Sequence, residues 1–189
     1  MDKAPAARGL FHHAGLRRVL VRLRKPIIVA CVLLLLTFAR REWLLAGFVV
    51  SMLGEAIQVW CFAALDKNAT LTVRGPYTVV RNPMYLGRFF ILLGFVMLAG
   101  QPWLVAGYAL AYWFYMDARV QREEAHLRPI FGPAYDTYCA SVRRFVPRWP
   151  AAGAPLAYWN WTLFRQNHAA SNLLATLAAW ALIAAWTLR

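Results

Sequence analysis

Apolar and polar segments alternate along the whole chain, in a pattern typical of helices that cross a membrane. The first apolar run, Pro26–Ala39, has about 14 residues and would span about 20 Å as a helix, short of a hydrocarbon core of about 30 Å. We therefore expect the first helix to begin near Val19, with the side chains of Arg22, Arg24 and Lys25 reaching back to the lipid headgroups.

A second helix is predicted over Trp43–Leu65, and one of its faces differs from the rest. Small and polar residues share that face at helical spacing: Gly47, Ser51, Gly54, Glu55 and Gln58. Small residues let two helices approach closely in lipid. A carboxylate that faced lipid would be costly, so we expect Glu55 to face protein or a cavity.

The later apolar runs predict three more membrane helices. A third is expected over Met84–Gly100, and a fourth over Pro102–Leu127, because proline suits a helix start and no breaker follows before Pro129. The end of that fourth helix is polar and is predicted to continue into water. A short helix over Phe131–Tyr138 comes next, and Leu173–Leu188 predicts a fifth membrane helix.

Composition and charge agree with a membrane protein. The chain is 61% hydrophobic and 15% aromatic, which is too apolar for an ordinary soluble domain. Its net charge of +13 would allow nucleic-acid binding, but the basic residues cluster in 1–25, directly before an apolar run. That placement is typical of a cytoplasmic flank on anionic lipid, so we expect no nucleic-acid partner.

The cysteines and histidines predict neither a disulfide framework nor a metal site. Cys31, Cys61 and Cys139 are widely spaced, and the first two lie in apolar runs where cysteine behaves as a small hydrophobic residue. The four histidines form no metal-ligand spacing with them.

Two polar blocks interrupt the apolar pattern. The first, Arg74–Gly87, reads RGPYTVVRNPMYLG, and Pro76 and Pro83 prevent it from forming one regular helix. The second, Glu123–Pro147, reads EEAHLRPIFGPAYDTYCASVRRFVP. An even number of crossings between them would put both blocks on the cytoplasmic side. We therefore expect one site built from both.

These blocks resemble a known enzyme family. The pattern G-P-Y…V-R-N-P-M-Y-L-G, followed by E-E-x-x-L-x-x-x-F-G-x-x-Y-x-x-Y…R-F-V-P, is similar to that of the isoprenylcysteine carboxyl methyltransferases and the related membrane phospholipid methyltransferases. The resemblance covers about Gly54–Pro147, and Gly54-Glu55, Trp60 and Lys67-Asn68 resemble a prokaryotic branch. Better-known members carry histidine where this chain has Asn82, which does not titrate and therefore puts a role as base in doubt.

The resemblance implies an all-α, polytopic membrane bundle of about five transmembrane helices with a cytoplasmic cofactor-binding subdomain. The expected location is a bacterial inner membrane, with the active site facing the cytoplasm. The predicted organisation is one domain over 1–189, divided into the basic segment 1–25, helices one and two over 19–65, the catalytic region 66–147, and a connector with the last helix over 148–189.

The resemblance also implies S-adenosylmethionine as methyl donor and assigns site residues. A carboxylate suits the donor's ammonium group, a guanidinium suits its carboxylate, and tyrosines suit adenine and ribose. The predicted catalytic residues are Arg81, Glu124 and Glu55. The predicted cofactor-binding residues are Tyr77, Val80, Arg81, Asn82, Pro83, Tyr85, Leu86, Gly87, Glu123, Glu124, Tyr135, Tyr138 and Arg144.

The acceptor is expected to be a membrane lipid or a lipidated molecule. Methylation of a carboxylate oxygen is the first choice, because a carboxylate is already ionised near neutral pH and needs no base. N-methylation of a phospholipid amine is the second choice, and Glu55 or Glu124 would then act as base. A sterol-reductase-like enzyme that uses NADPH, which shares the C-terminal pattern, and a non-enzymatic membrane module also remain open.

Structural roles compete with these assignments. Glu123 and Glu124 have i, i+4 spacing to Arg119 and Arg128, as in ordinary surface ion pairs. The remaining structural roles are lipid-phosphate anchors at Arg81 and Arg88, interhelical hydrogen bonding by Glu55 with Gln58, and pinning of the short helix by Tyr135 and Tyr138.

Overall fold

The computed structural model describes residues 23, 26, 30, 35–66 and 70–189, and all regular structure in these residues is helical. Most of the basic segment 1–25, the predicted helix start near Val19, Cys31 and the Lys67-Asn68 pair lie outside the described residues. Residues 35–38 are helical and lead towards the helices described next.

Five α-helices follow in the part of the chain that the structure describes. They are α1 (Leu44–Ala64), α2 (Pro83–Met97), α3 (Pro102–Ser141), α4 (Trp161–Gln166) and α5 (Ala169–Thr187), with 3-10 turns at Arg41–Trp43 and Gly75–Thr78. The all-α prediction is confirmed. Among the described residues two helical stretches, Arg41–Ala64 and α5, are long and apolar enough to cross a membrane, and α2 is apolar but shorter. The number of about five crossings stays a prediction.

Glycines bring α1 and α2 into close backbone contact. A Cβ atom added at Gly47 would lie 2.5 Å from the carbonyl oxygen of Gly94, and one added at Gly54 would lie 2.5 Å from that of Gly87. Between these two crossings the Ser51 hydroxyl donates a hydrogen bond to the Ile91 carbonyl oxygen at 2.8 Å. The predicted small and polar face of α1 is therefore confirmed as the face that α2 and other protein cover.

The C-terminal helix α5 packs against the end of the hairpin where Gly47 meets Gly94. The Trp180 ring stacks on Phe95 of α2 at 4.8 Å and meets Phe48 of α1 edge-on at 5.7 Å. Leu98 and Ile183 complete this buried cluster. The predicted fifth helix is thus part of the bundle, beginning four residues earlier than the apolar run suggested, at Ala169 rather than Leu173.

Helix α3 is longer than predicted, and proline does not end it. The helix continues through Pro129 and changes direction only at Gly132, which has φ 52° and ψ −135°. Pro129 removes one backbone hydrogen bond, which the adjoining turns tolerate, whereas the left-handed φ at Gly132 breaks the helical path. The prediction that Pro129 stops the helix is wrong, and the predicted short helix is the segment of α3 after this kink.

Candidate functional site

A cavity of about 420 Å³ opens where the two polar blocks meet. Its walls come from the segment after α1, the start of α2 and the polar half of α3. The lining residues are Leu65, Asp66, Thr70, Leu71, Thr72, Tyr77, Arg81, Asn82, Met84, Tyr85, Arg88, Arg119, Glu123, Leu127, Phe131, Tyr135 and Tyr138.

Backbone hydrogen bonds hold the two blocks together. The Arg81 amide donates to the Arg143 carbonyl oxygen at 2.9 Å, and the Arg148 amide donates to the Val79 carbonyl oxygen at 2.9 Å. The Asn82 side-chain amide reaches the Arg144 carbonyl oxygen at 3.4 Å. The loop before α2 is therefore fastened to the segment that follows α3, as a shared site requires.

A network of ion pairs lies behind this junction and centres on Glu124. Arg144 binds both Glu124 oxygens, through Nε at 3.2 Å and Nη2 at 2.6 Å, and its Nη1 is 3.3 Å from Asp117. The Nε of Arg81 lies 3.1 Å from Glu124 Oε1. The hydrogen bond to Glu124 raises the pKa of Arg144 above its usual value, so this guanidinium stays charged. Glu124 thus joins the loop, α3 and the segment after α3.

Tyrosines form much of the cavity wall and are themselves held in place. The Tyr85 hydroxyl donates to Glu123 Oε2 at 2.7 Å, and the Tyr138 hydroxyl donates to the Tyr77 carbonyl oxygen at 2.8 Å. Burial raises the pKa of Tyr77, Tyr135 and Tyr138 above the usual phenol range. These side chains are therefore neutral near pH 7 and available for hydrogen bonding and stacking.

Two buried polar atoms of cavity residues have no well-aligned hydrogen-bond partner. They are the Tyr77 hydroxyl, whose polar neighbour is the Cys61 thiol, and the Nε of Arg81, whose N–H group is not aligned with the nearby Glu124 carboxylate. Buried polar groups are rarely left unsatisfied unless a ligand or water completes them. Together with the carboxylate of Glu123 and the tyrosine rings, they fit a ligand that carries an ammonium group, a carboxylate and an aromatic base.

The predicted site residues separate into two groups. Seven of them line the cavity: Tyr77, Arg81, Asn82, Tyr85, Glu123, Tyr135 and Tyr138. The others do not line it: Val80, Pro83, Leu86, Gly87, Glu124, Arg144 and Glu55. Gly87 supports the cavity from behind by packing against Gly54 and Gln58 of α1.

Glu55 is placed away from this cavity. Its two oxygens accept hydrogen bonds from the Asn172 amide at 2.8 Å and the Thr176 hydroxyl at 3.1 Å, both on α5. Only 1% of Glu55 is exposed. The structure therefore favours the interhelical role that the sequence left open for this residue.

Several cavity residues were not predicted. Arg119 was seen only as the partner of a surface pair, and Arg88 only as a lipid anchor. Leu127 and Phe131 belong to the quoted pattern but were given no role, because apolar wall residues look like any other core residue in a sequence, and Asp66 was not singled out. Among the described residues, no group of three or more His, Cys, Asp or Glu side chains is arranged to hold a metal ion.

Comparisons with known proteins agree with the resemblance that the motifs carry. Residues 43–134 match the model of the phospholipid methyltransferase family. A protein-S-isoprenylcysteine O-methyltransferase of Schizosaccharomyces pombe is 34% identical over 85 residues, which are 45% of this chain and 36% of that protein. One of Xenopus laevis is 28% identical over 118 residues, covering 56% of this chain and 41% of that protein.

A bacterial relative covers more of the chain. The cobalt-zinc-cadmium resistance protein CzcN of Cupriavidus metallidurans is 27% identical over 155 residues, 72% of this chain and 71% of that protein. The chain matches less than half the length of the two isoprenylcysteine O-methyltransferases, so what those proteins do is not carried over whole. No solved structure matches the chain.

Proposed function

We propose that this chain, whose residues 43–134 match the phospholipid methyltransferase family, is an S-adenosylmethionine-dependent methyltransferase embedded in a membrane. The acceptor would be a lipidic or prenylated molecule, methylated at a carboxylate oxygen. The observation that carries the proposal is the cavity at the junction of the two blocks, which lies within and beside the segment that matches the family.

The cavity residues suit the parts of the methyl donor. Glu123 would bind the ammonium group, Arg81 the carboxylate, and Tyr77 with Tyr135 the adenosine. A cavity of about 420 Å³ is also within the size range of small-molecule sites. When bound, S-adenosylmethionine supplies an electrophilic methyl group.

Positioning is the main task left to the protein. A carboxylate acceptor arrives ionised near neutral pH, so the residues of the site need to orient it and exclude water, not to remove a proton. This agrees with Asn82 in place of a titratable histidine. Glu124 would act indirectly, without contacting the methyl donor. Its ion pairs with Arg144 and Arg81 would keep the loop before α2 in position.

The outer faces of the helices support membrane embedding. The two long apolar helices and the apolar half of α3 leave large hydrophobic side chains exposed, including Leu45 of α1 at 74%, Leu182 of α5 at 73% and Trp103 of α3 at 67%. Large apolar patches around a whole bundle fit a lipid environment. With the basic segment 1–25 on the inner side, the cavity would face the cytoplasm of a bacterial cell.

N-methylation of a phospholipid amine is the second candidate. An amine must lose a proton, and two carboxylates line the cavity, Asp66 and Glu123, of which Glu123 accepts a hydrogen bond from Tyr85. This differs from the bases expected from the sequence, Glu55 and Glu124, neither of which lines the cavity.

Binding of S-adenosylhomocysteine tests the proposal most directly. The purified full chain in detergent would be titrated calorimetrically, and we expect saturable binding that Glu123→Ala weakens by about tenfold. Glu42→Ala is the matched control, since Glu42 is an exposed carboxylate in the Arg41–Trp43 turn. Transfer of radiolabel to total lipid extract would then identify the acceptor fraction.

Two results would contradict this function. Binding of NADPH without binding of S-adenosylhomocysteine would favour a reductase, and label found only in soluble small molecules would remove the lipidic acceptor.

A further inference from the structure

A second junction lies next to the cavity wall, where the connector 142–160 between α3 and α4 crosses the start of the first polar block. The Gly75 amide donates a hydrogen bond to the Pro155 carbonyl oxygen at 2.8 Å, and the Trp60 indole N–H donates to the Tyr158 carbonyl oxygen at 3.3 Å. The connector is thus fastened both to α1 and to the loop 74–78, although it lies outside the segment 43–134 that matches the family model.

Arg74 lies at the centre of this junction. Its Nε donates a hydrogen bond to the Ala64 carbonyl oxygen at 3.1 Å, at the C-terminal end of α1, where the helix dipole favours a cation. Its guanidinium carbon lies 4.3 Å from the centre of the Tyr158 ring, well within cation–π range. One side chain of the loop therefore contacts both α1 and the connector.

The Tyr158 side chain extends this junction to the cavity wall. Tyr77, Cys61 and Ala64 form a buried cluster, and Tyr158 packs against it from the connector. Tyr77 is only 8% exposed and lines the cavity, whereas neither Arg74 nor Tyr158 lines it. The two residues thus contact the surroundings of a cavity residue from outside the cavity.

Close packing leaves the loop 74–78 little freedom at this point. A Cβ atom added at Gly75 would lie 3.0 Å from the Ala64 Cβ and 3.2 Å from the Trp60 Nε1, so the loop lies directly on α1. The Thr78 hydroxyl closes the loop by donating to the Gly75 carbonyl oxygen at 2.8 Å. Because a site tolerates only small displacements of the groups that meet a ligand, contacts outside a cavity can set its affinity.

We propose that Arg74 and Tyr158 are positioning residues of the methyl-donor site, which act through Tyr77. Their contact holds the loop 74–78 on α1 and so fixes the Tyr77 side chain in the cavity wall, where the adenosine would bind. The inference rests on the proposed function for the identity of that ligand. It adds a requirement to the site, which would be completed by a connector none of whose residues lines the cavity.

Binding of S-adenosylhomocysteine to the purified full chain in detergent tests this role. Tyr158→Leu removes the ring and Arg74→Gln removes the cation, so each should weaken binding about fivefold, while Tyr158→Phe keeps an aromatic face and should stay within about twofold. Trp159→Leu is the matched control, because it removes a neighbouring ring of the connector that packs on Trp161 and Phe164. It should leave the affinity unchanged.

A double-mutant cycle separates positioning from a general loss of stability. In a Tyr77→Ala background, Tyr158→Leu should weaken binding by less than about twofold, because the side chain through which it acts is gone. A purely structural role predicts instead a lower melting temperature with full affinity in the folded fraction of Tyr158→Leu. If Tyr158→Leu does not fold, Arg74→Gln takes its place in the cycle.

Reaction with a thiol reagent monitors the same junction without any ligand. The Cys61 thiol is 0% exposed and neighbours the Tyr77 hydroxyl, so N-ethylmaleimide should reach it only when this region opens. In a background with Cys31→Ser and Cys139→Ser, labelling of Cys61 should be about tenfold faster in Tyr158→Leu than in Tyr158→Phe.

Three outcomes would overturn the inference where S-adenosylhomocysteine binds. These are unchanged affinity in Tyr158→Leu, an equal loss in Trp159→Leu, and an equal loss with and without Tyr77→Ala. If S-adenosylhomocysteine does not bind the original chain, the proposed function fails and the labelling of Cys61 decides. Faster labelling in Tyr158→Leu would then leave the positioning of Tyr77 standing, and equal labelling would remove it.

Discussion

The α1–α2 hairpin and the cavity beside it are held together by opposite means. In the hairpin, small residues bring two backbones into contact at Gly47–Gly94 and Gly54–Gly87, with little side-chain chemistry between them. Around the cavity, side chains from segments far apart in the chain are joined by ion pairs and hydrogen bonds, with Glu124 at the centre.

The difference shows what each region tolerates. Close backbone packing leaves no space for added atoms but needs no specific partner, whereas a polar network accepts changes of size but depends on each charged partner. The hairpin should therefore respond to added volume, and the cavity should respond to lost charge. The following changes test that contrast in order of expected effect.

Gly54→Leu should have the largest effect. The added Cβ would lie 2.5 Å from both the Gly87 carbonyl oxygen and the Ile91 nitrogen, so the two helices would have to separate. We expect a loss of about 3 kcal/mol or more in the free energy of unfolding, measured by SDS titration in mixed micelles.

Gly107→Ala is the matched control for the hairpin. No atom lies within 4 Å of a Cβ added there, and Gly107 is inside α3, where alanine is favoured over glycine. It should be neutral or slightly stabilising. Equal destabilisation by both changes would show that close packing is not what holds the hairpin.

Glu124→Ala should come second. It leaves Arg81 and Arg144 without their shared carboxylate, and Glu124 is only 12% exposed. Because Arg144 is 35% exposed and partly screened by water, we expect a loss of about 2 kcal/mol in unfolding free energy, together with weaker binding of S-adenosylhomocysteine.

Asp136→Ala is the exposed counterpart of that change. It breaks the Arg128–Asp136 pair, whose side chains are 64% and 59% exposed, so it should cost less than about 1 kcal/mol in unfolding free energy. If Glu124→Ala were as mild as Asp136→Ala in thermal unfolding, the ion-pair network around Glu124 would not be what holds the two blocks together.

Glu55→Ala should have a smaller effect, and this effect should be on stability alone. It leaves the Asn172 amide without its partner on α1, while the Thr176 hydroxyl keeps its bond to the Asn172 carbonyl oxygen at 3.2 Å, for an expected loss of about 1–2 kcal/mol. The folded fraction should bind S-adenosylhomocysteine with unchanged affinity and keep its methyl transfer rate. A folded but inactive variant would restore Glu55 as a catalytic residue.

Asn82→His should have the smallest effect. The Asn82 amide makes one long hydrogen bond, 3.4 Å to the Arg144 carbonyl oxygen, which a histidine N–H at this position can replace. We expect unfolding free energy within about 0.5 kcal/mol of the original chain and no new pH dependence of methyl transfer between about pH 6 and 8. A new optimum near the histidine pKa would show that a base does contribute here.

Much of the fold was predictable because apolar helices are encoded in local sequence patterns. The second, third and fifth predicted helices lie within a few residues of α1, α2 and α5, and the small-residue face of α1 is where α2 packs. The prediction that Pro129 ends the helix α3 was wrong. A proline in the sequence shows that one backbone hydrogen bond is lost, but it does not show whether the neighbouring turns compensate for that loss.

The site was predictable only in part, for a geometric reason. The sequence favoured Glu124 over Glu123 for the cofactor contact, but successive helical residues point about 100° apart, and a one-residue difference decides which of them faces the cavity. The structure turns Glu123 to the cavity and Glu124 to the arginines behind it. Glu55 on α1 could have formed hydrogen bonds with α2 or with α5, and in the structure they are formed with α5.

The sequence by itself determined the apolar helices, the face through which α1 meets α2, and the two polar blocks that resemble a methyltransferase family. These depend on periodicity and on short motifs, both of which are local. Only the tertiary structure decided which charges are paired with each other, as Glu124 is with Arg144, and which line the cavity, as Glu123 does. That choice depends on contacts between residues far apart in the chain, whose distances a linear pattern does not contain.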